Sequence, residues 1–548
     1  MTQTRTFLIL AWLMVATLLW MEWGKEQQTP PAPAAAAASP GAPALATAGV
    51  PGTAPATAAA AVPAAGGARL VTLRNDVLAL TLDGNRVLRA ELLRYPQTQA
   101  AGSPPVLLLD DAAGSQYTAS DVWRGSDGQP IVLQPEGDPA GAQLAPGAAQ
   151  VQLVFHGALG NGVQLRRTYT LARGSYAVRV HDELRNAGSA PWSGLVDRRL
   201  QRIPPDTRHG FTDPQAFTLS GAAWYSPQDK YEKRKFADFG DKPLDKASPQ
   251  GKPVTGGWIA LSQHYFLAAW VPQPDQGALY SLTEAGPLRG IQALGPQVQL
   301  APGQGVSSTA VLWVGPKLAD QLAQVAPGLE LALDYGIFTV LSKPIHWLLT
   351  QLHKLTHNWG WAIVLLVVLI KLLLYPLSAA QYRSMAKMRK FQPRIEQLKE
   401  RYGDDKQKFQ MAMLELYRQE KINPAGGCLP ILIQMPVFLA LYYVLVEAVE
   451  LRQAPWILGW INDLTARDPY FILPVLNGLI MWLTQRMTPM VGMDPMQKKM
   501  MQLMPVVMAV MFAFFPAGLV LYWVTNGALG MLQQWWNTKR FAEAPAKA

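Results

Sequence analysis

The chain has 548 residues, of which 49% are hydrophobic and only 16% are charged. Its formal net charge is +10, and it contains a single cysteine, Cys428. One cysteine excludes an internal disulfide framework and any metal or redox site built from paired cysteines. A chain of this length is expected to form about three or four domains. Apolar and charged residues are distributed so unevenly that soluble and membrane-embedded regions are both expected.

Residues 1–26 predict a transmembrane anchor. An apolar run from Phe7 to Trp23 follows the basic Arg5, which is typical of a secretion signal or of an uncleaved anchor. Cleavage needs small residues directly after the apolar run, whereas this run ends in WMEW. We therefore expect an anchor, and the alanine-rich stretch that follows leaves cleavage as the alternative.

Residues 27–68 predict a periplasmic tether. They carry no charge and consist mainly of Ala, Pro and Gly. Such a segment has too little large apolar surface to offset the entropy lost on ordering it. Its prolines favour extended conformations, so we expect a spacer with no further role.

Residues 69–335 predict an all-β domain. Short runs alternate between apolar and polar residues, as in 176–181, and turn dipeptides such as Asp83-Gly84 and Asn161-Gly162 separate them. Many short alternating strands are typical of a large antiparallel sandwich. A domain of this size buries enough apolar surface to fold without disulfides.

The same region offers no evident catalytic site. None of its histidines stands at a metal-ligand spacing such as HExxH. His181 and Asp182 are neighbours, which suggests acid–base chemistry, but neighbours on a strand point to opposite faces. The charged run 229–235 is expected to be a solvated loop. We therefore expect no enzymatic activity, no metal and no cofactor.

Beyond Tyr335 the chain becomes strongly apolar and predicts five more transmembrane helices. The run 359–377 has nineteen residues and one charge, which is enough to cross the hydrocarbon core. Residues 500–536 would form about 55 Å of helix, nearly twice that core, and the sequence FPAG divides them. The expected spans are about 359–377, 429–449, 470–486, 500–515 and 517–536, within a membrane region covering residues 336–548.

Loop charges orient these spans. Segment 381–421 has eleven Lys/Arg against six Asp/Glu, and segment 486–499 is also basic, whereas 450–469 is not. The positive-inside rule then places both termini in the cytoplasm. These loops also account for much of the positive net charge, so no specific DNA binding is expected.

Segment 381–421 predicts a cytoplasmic helical hairpin. Two stretches of helix-forming residues flank Gly403-Asp404-Asp405, and Pro393 is expected to interrupt the first helix. Forty residues are more than a simple connection requires. A docking arm and a solvated connector are both compatible with this pattern. The candidate docking residues are Arg383, Lys387, Arg389, Lys390 and Arg394.

Lys371 is the only charge inside the predicted span 359–377. Such a charge near a helix centre costs ~2.5–3.5 kcal/mol on insertion scales. Its stem either reaches toward the inner headgroups or keeps the ammonium in a water-filled cavity between helices. Because Glu447 and Glu450 lie at the opposite end of the third span, no acid within the spans offers an obvious counter-ion.

Several motifs now resemble one protein family. They are NPAGGC at 423–428, QMPVFLALYY at 434–443, ELRQAP at 450–455, FPAGLVLY at 515–522, DKYEK at 229–233 and GGW at 256–258. In this combination the chain resembles the YidC/Oxa/Alb membrane-protein insertases, in the Gram-negative form with a large periplasmic domain. The resemblance covers all of the chain except the tether.

The resemblance implies a hydrophilic groove that is open to the cytoplasm and closed toward the periplasm. Relatives usually carry an arginine at the position matching Lys371, and lysine keeps the charge but loses the bidentate fork. Val367 stands where many relatives have threonine, and Trp523 stands where the second aromatic is tyrosine. The groove residues implied are Lys371, Gln434, Val367, Tyr522, Trp523 and Thr525. Phe438, Met435 and Phe514 are the candidates on an apolar slide formed by the third and fifth spans.

The same resemblance implies a bacterial inner-membrane insertase and chaperone with a periplasmic β-supersandwich. Its implied partners are nascent membrane proteins, the Sec translocon, the ribosome, the signal recognition particle receptor and membrane lipids. Two alternatives stay open. One is a chaperone that acts only beside the Sec translocon, and the weaker one is a secondary transporter, which would usually carry internal repeats and paired intramembrane charges.

Overall fold

The computed structural model describes residues 69–548 except 139–140, 206–217, 241–252, 403–404, 421–428, 488–494 and 543–548. The predicted anchor (1–26) and the predicted tether (27–68) lie outside the described residues.

Two sheets form the first half of the described chain, and their strands are numbered in chain order. The first sheet has ten strands: β1 (Val71–Arg74), β2 (Leu78–Leu82), β3 (Arg86–Pro96), β4 (Pro105–Leu109), β5 (Tyr117–Gly125), β7 (Gly141–Gln143), β11 (Trp192–Arg202), β16 (Leu279–Ala285), β17 (Leu288–Leu294) and β18 (Val298–Leu300). The second has nine: β6 (Gln134–Pro135), β8 (Gln150–Ala158), β9 (Val163–Ala172), β10 (Ala177–Asn186), β12 (Gly221–Ser226), β13 (Lys230–Lys235), β14 (Trp258–Ser262), β15 (Phe266–Pro272) and β19 (Gly305–Pro316).

The strand order in the first sheet is β16-β17-β11-β5-β3-β2-β1-β7, with β18 on β11 and β4 on β3. In the second it is β13-β12-β14-β15-β19-β10-β9-β8-β6. Most neighbours are antiparallel, for example β9 and β10, and only β1 and β7 form a parallel pair among those described. The predicted sheet-rich domain is therefore confirmed.

The two sheets pack face to face around a shared apolar core. On β10 the alternate residues Val178 and Val180 are buried while Arg179 is exposed. Hydrogen bonds also join the sheets, since the Tyr117 hydroxyl donates to the Leu261 carbonyl at 2.9 Å. The turn predicted at Asp83-Gly84 joins β2 to β3, where Gly84 has a φ of +93° that a side chain would strain.

A buried ionic network stands in the middle of this sandwich. Arg167 on β9 reaches Asp182 on β10 at 2.7 Å and Asp121 on the opposite sheet at 2.9 Å. Burial alone would lower the pKa of Arg167, but the two carboxylates outweigh it and hold that pKa well above its ordinary value. Asp182 is therefore a structural partner of Arg167, whereas its neighbour His181 is half-exposed on the other face.

The charged run 229–235 was expected to be a loop, and that prediction is wrong. Residues Lys230–Lys235 form β13, the edge strand that pairs with β12. Charges on an exposed edge strand prevent pairing with other chains, and they hide the alternation that would reveal the strand. The inward-facing Tyr231 is half-buried, and its enclosed hydroxyl explains why desolvation raises its pKa well above the ordinary value.

Ten α-helices follow in the described part of the chain. They are α1 (Ala319–Val325), α2 (Thr339–Thr356), α3 (Trp359–Leu373), α4 (Tyr375–Lys390), α5 (Gln392–Tyr402), α6 (Lys406–Gln419), α7 (Leu429–Glu447), α8 (Ile472–Met487), α9 (Pro495–Phe512) and α10 (Ala517–Ala542). Short 3-10 helices at Leu329–Ala332, Gly336–Phe338 and Val449–Leu451 connect them.

The segment 359–377, predicted as one straight span, is broken. Helix α3 ends at Leu373, and α4 continues after a bend of 64°. Pro376 explains the break, because proline lacks the backbone donor that would continue the helix and its ring clashes with the carbonyl one turn earlier. Among the described residues no single helix is both long and apolar enough to cross a membrane, whereas Trp359–Leu373 and Tyr375–Tyr382 together meet that criterion.

The hairpin segment consists of α5 and α6, preceded by the basic end of α4. The first predicted helix is interrupted at Phe391, two residues before Pro393, as its proline indicated. Ile395 on α5 and Tyr417 on α6 form a small separate core with Phe391, Phe409, Met413 and Leu416. This core holds α5 and α6 together independently of the main core.

The β domain sits directly on one end of the helical bundle. Lys317, just after β19, forms an ion pair with Glu447 at the end of α7 (3.1 Å). Gln99 donates a hydrogen bond to the Asn462 carbonyl at 2.7 Å, in the segment between α7 and α8. The end of the bundle that carries Glu447 is thereby fixed as the end facing the β domain.

Candidate substrate groove and its surroundings

Lys371 lies in the last turn of α3, and only 9% of its surface is exposed. Its ammonium lies over α10, since a Cβ placed on Gly530 would be 3.7 Å from Lys371 Nζ. Within the part of the chain that the structure describes, no acidic side chain pairs with it. The fold thus encloses a cation without supplying its counter-ion.

A cavity of about 380 Å³ opens beside this ammonium. Its wall consists of Val368, Lys371, Leu372, Tyr375, Leu529, Leu532, Gln533 and Trp536. The Gln533 Oε1 atom is buried and has no hydrogen-bond partner among the described residues. A cavity with a cation and an unsatisfied amide oxygen is suited to water or to polar groups of a ligand.

Three polar residues of this site were missed by the sequence reasoning. The Tyr375 hydroxyl lies 3.4 Å from Asn537 Oδ1, and Asn537 Nδ2 donates to the Gln533 carbonyl at 2.8 Å. A signal for two of them was present: Gln533 and Asn537 are four residues apart and therefore share one helix face near the end of an apolar run. Tyr375 could not be placed because the bend at Leu374 was not foreseen.

The other predicted groove residues do not line this cavity. Val367, one turn before Lys371, is buried in the bundle with 2% exposure. Thr525 is half-buried, and its hydroxyl donates to the Leu521 carbonyl of its own helix at 2.8 Å. Gln434 is half-buried on α7. Their role in a groove stays a prediction, and the structure groups Lys371 with Tyr375 and Gln533 instead.

Tyr522 and Trp523 belong to an aromatic cluster with one of the slide candidates. The Phe438 ring centroid lies 4.7 Å from that of Trp523 and 5.8 Å from that of Tyr522. Phe512 at the end of α9 adds a contact to Trp523 at 5.4 Å. Phe438 therefore connects α7 to α10, and Trp523 connects α10 to α9. Met435, one turn before Phe438, is 44% exposed.

Phe514, the third slide candidate, lies in the connection between α9 and α10. It is 45% exposed, and the Arg467 guanidinium lies 5.4 Å from its ring centroid. This cation–π contact ties the α9–α10 connection to the segment between α7 and α8. Phe514 and Met435 thus present exposed apolar surface at different places along the bundle.

The segment between α7 and α8 packs against the end of the bundle that carries Glu447. Asp468 accepts hydrogen bonds from Trp460 Nε1 (2.8 Å) and Leu473 N (2.7 Å), which orders the segment before α8. Trp456 from the same segment packs so closely on Gly360 of α3 that a Cβ there would be 2.2 Å from its ring. One face of α3 before Lys371, with Ile363, Leu366 and Val367, is buried in the bundle, whereas Trp361, Leu365 and Leu369 on the other face are exposed. The cavity wall begins at Val368 and includes no residue of the segment between α7 and α8.

The docking candidates on the hairpin are described only in part. Arg383, Lys387, Arg389 and Lys390 lie on α4, but their side chains are outside the described residues. Arg394 on α5 pairs with Glu420 at 2.8 Å, and its guanidinium lies 5.8 Å from the Phe391 ring centroid. Arg394 is therefore engaged within the hairpin itself.

Two family models together match most of this chain from residue 70 to residue 544. Residues 70–348 match the "YidC periplasmic domain", and residues 351–544 match the "60Kd inner membrane protein". Together with the apolar bundle and its buried lysine, these matches define an inner membrane protein with a periplasmic domain.

Curated relatives cover the whole chain. Proteins named "Membrane protein insertase YidC" from Stenotrophomonas maltophilia and Xanthomonas campestris pv. campestris are 53% and 52% identical to it, over 100% of this chain and 98% and 99% of their own length. The chain belongs to the YidC family of membrane protein insertases.

Solved structures resemble it more distantly. A crystal structure described as an active YidC insertase with the first transmembrane domain resolved is 20% identical over 84% of this chain and 93% of its own, with a TM-score of 0.37. A galactose mutarotase related enzyme from Lactobacillus acidophilus is 10% identical over 45% of this chain and 97% of its own, with a TM-score of 0.28. Scores this low carry no information about binding or catalysis.

Proposed function

We propose that this protein moves nascent transmembrane segments from the cytoplasm into the inner membrane, and that Lys371 and its cavity form the polar part of the path. The observation that carries the proposal is the combination of a buried ammonium, no counter-ion in the described chain and an adjacent cavity of about 380 Å³. A permanently paired lysine would serve structure, whereas an unpaired one is available to a passing substrate.

We also propose the topology in which this path operates. The domains are the anchor (1–26), the tether (27–68), the periplasmic β domain (69–335) and a membrane region (336–548) with five spans and the cytoplasmic hairpin 381–421. Basic loops between the spans support cytoplasmic termini. In this proposed orientation the β domain lies in the periplasm, the Lys371 cavity faces the cytoplasmic half, and the end of the bundle that carries Glu447 faces the periplasm.

Solvation supplies the driving force for insertion. A nascent helix gains about 25 cal/mol per Å² of apolar surface that leaves water. The obstacle is its polar flank, which must cross a layer where each unsatisfied backbone group costs several kcal/mol. A polar cavity that reaches part of the way across shortens the dry distance for that flank. No nucleotide-binding GxxxxGK[ST] loop is present in the sequence, in keeping with this scheme.

Lys371 selects for acidic flanks. Two unit charges about 4 Å apart attract by about 1 kcal/mol in bulk water and by about 4 kcal/mol at an effective dielectric constant of about 20. An acidic residue that enters the cavity therefore gains a partner that the protein has left free. Met435 and the exposed faces of α8 and α9 offer apolar surface for the following helix.

The partners proposed for this activity are the ribosome, the signal recognition particle receptor and the Sec translocon. The hairpin supports a docking role because its own small core holds α5 and α6 as a rigid unit. The basic end of α4 adds positive charge beside it, which attracts ribosomal RNA or acidic protein surfaces.

Reconstitution of the purified full-length chain into vesicles tests the proposal. Lys371→Ala is expected to lower insertion of substrates with acidic translocated tails about five- to tenfold, equivalent to roughly 1–1.4 kcal/mol. Lys371→Arg keeps the charge and is expected to insert them normally. Lys354→Ala, an exposed lysine on α2, is the matched control. Tails without acidic residues should respond little to any of these changes.

Two results would overturn the proposal. Normal insertion of acidic tails by Lys371→Ala would remove Lys371 from the path. Insertion only after the Sec translocon is added would favour the alternative of a Sec-associated chaperone, since the chain alone would then lack the activity.

A further inference from the structure

A second cavity lies at the opposite end of the bundle from Lys371. It has a volume of about 200 Å³ and lies between the end of the β domain and α2. Its chemically important wall residues are Asp320, Glu330, Tyr335, Lys343, His346 and Trp347. None of them belongs to the proposed insertion path.

The charges on its walls are segregated. Asp320 on α1 and Glu330 in the following 3-10 helix form an acidic side, and Lys343 and His346, one turn apart on α2, form a basic side. Lys343 Nζ lies 3.4 Å from Glu330 Oε1 across the cavity. Asp320 is exposed and has no ion-pair partner among the described residues. The cavity therefore offers one free carboxylate opposite a basic pair.

Two buried polar atoms at this cavity lack hydrogen bonds. The Tyr335 hydroxyl belongs to a side chain with 3% exposure, and neither it nor His346 Nε2 has a hydrogen-bond partner in the described chain. The nearest acidic atom to His346 Nε2 is Glu450 Oε1, and 3.8 Å is too long for a hydrogen bond. Buried polar atoms left unsatisfied are costly, so the Tyr335 hydroxyl and His346 Nε2 indicate a polar ligand that completes them.

An exposed apolar stripe runs along α2 beside the cavity. On α2, Val340, Trp347 and Leu355 expose 83%, 62% and 73% of their surface, and Ile337, in the 3-10 helix just before α2, exposes 89%. Their spacing places most of them on one face of the helix. Helix α2 ends at Thr356, and α3, the start of a proposed span, begins three residues later at Trp359. An exposed tryptophan at this position is typical of the membrane–water interface.

From these features we propose that this cavity binds the headgroup of an ethanolamine phospholipid from the outer leaflet. Lys343, His346 and the Tyr335 hydroxyl donate to the phosphate, and Asp320 accepts from the primary ammonium. An acyl chain then lies along the exposed stripe of α2. The inference uses the proposed orientation of the chain but not its insertion activity, so lipid binding and insertion can fail separately.

Other headgroups fit the walls less well. Phosphatidylglycerol supplies the phosphate but has no cation for Asp320. Phosphatidylcholine carries a cation, but its methylated nitrogen has no N–H to donate to a carboxylate. A soluble phosphoethanolamine has both charges and no chain for the stripe. These three differences allow the lipid assignment to be tested against each alternative.

The test is lipid retention by the full-length protein after purification from vesicles of equal parts of the three phospholipids, measured by native mass spectrometry. We expect enrichment of phosphatidylethanolamine in the wild-type protein. Asp320→Asn and Lys343→Gln together are expected to lower that enrichment about fivefold or more, because both charge-assisted contacts are lost. Lys354→Gln, on the same helix but outside the cavity, should leave it unchanged.

Glycerophosphoethanolamine added during purification separates a lipid from a soluble ligand. We expect it to displace the lipid only at large excess, and displacement at equal concentration would overturn the lipid assignment. Equal retention by the double variant and the wild type would overturn the site. Enrichment of phosphatidylglycerol to the same degree would also overturn it, since general attraction of anionic lipids to a basic protein would then explain the result.

Discussion

Lys317 Nζ lies 3.1 Å from Glu447 Oε2, and the two side chains are almost completely removed from solvent, with 0% and 2% exposure. Lys317 follows the last strand of the β domain, and Glu447 is the last residue of α7. Glu447 therefore has its counter-ion in the β domain. This buried pair makes the contact between the two parts specific.

The pair is expected to behave asymmetrically under mutation. Lys317→Met leaves Glu447 buried without a counter-ion, which should destabilise the protein by about 3–5 kcal/mol. Replacing both residues, with Lys317→Met and Glu447→Leu, should restore most of that stability because no charge remains buried. Denaturant titration of the full-length protein in detergent measures the free energy of unfolding of the wild type and of each variant.

Lys343→Met is the control for that comparison. Its ion pair with Glu330 is about half-exposed on the lysine side, so its loss should cost no more than about 1 kcal/mol. An equal effect of Lys317→Met and Lys343→Met would contradict the importance of the buried pair.

Glu450 gives the junction a pH dependence. Burial raises the pKa of this carboxyl above its ordinary value of 4.5, and nearby His346 only partly offsets that effect. The folded protein therefore holds the proton more tightly than the unfolded chain does. Stability due to this group decreases as pH rises from 4.5 through the raised pKa, because the buried side chain must then ionise.

Glu450→Gln is accordingly expected to raise the melting temperature at pH 8 and to change it little at about pH 4. The measurement is the melting temperature of wild type and variant across that range in one detergent. A melting temperature of Glu450→Gln below that of wild type at pH 8, with equal values at pH 4, would contradict this. The ionised carboxylate would then stabilise the fold, and the pKa of Glu450 would be lowered rather than raised.

Local patterns were sufficient to predict the β domain. Alternating residues such as Val178 and Arg179 face opposite sides of β10, and the dipeptide Asn161-Gly162 forms a turn at which Gly162 has a φ of +88°. These features depend on neighbours in sequence. The edge strand β13 is not predictable in this way. Its charged residues reflect its position at the edge of the sheet, which depends on segments distant in sequence.

The candidate site could be predicted only in part. Lys371 was identified because a charge inside an apolar run is detectable in sequence alone. The partner of Glu447 lies 130 residues away in the chain, and no local pattern indicates it. Likewise, Gln533 reaches the Lys371 cavity only because α3 ends at a bend and α10 crosses it there. Such contacts are set by packing between distant segments.

The hairpin residues are expected to divide into two groups. Arg394 is paired with Glu420, and both side chains are substantially exposed, so Arg394→Ala should cost no more than about 1 kcal/mol and change ribosome binding little. Joint replacement of Arg383, Lys387, Arg389 and Lys390 by Gln should weaken ribosome binding strongly and reduce its salt dependence. Cosedimentation with ribosomes at several salt concentrations measures both. A strong loss with Arg394→Ala alone would contradict this division.

The shared cavity of Lys371 and Gln533 allows the proposed attraction to be switched off without removing the lysine. Gln533→Glu places a carboxylate in the same cavity, where it should pair with the Lys371 ammonium and leave nothing for an acidic substrate flank. Insertion of acidic tails should fall about as far as in Lys371→Ala, by roughly five- to tenfold.

Gln533→Leu separates the new charge from the loss of the amide. It removes the unsatisfied Oε1 atom but keeps Lys371 free, so acidic tails should still insert within about twofold of wild type. In Gln533→Glu, tails without acidic residues should also insert normally. A folded Gln533→Glu variant that inserts acidic tails as well as wild type would contradict the proposal. The new carboxylate would then have neutralised Lys371 without any effect on insertion, so the charge of Lys371 would not attract the tails.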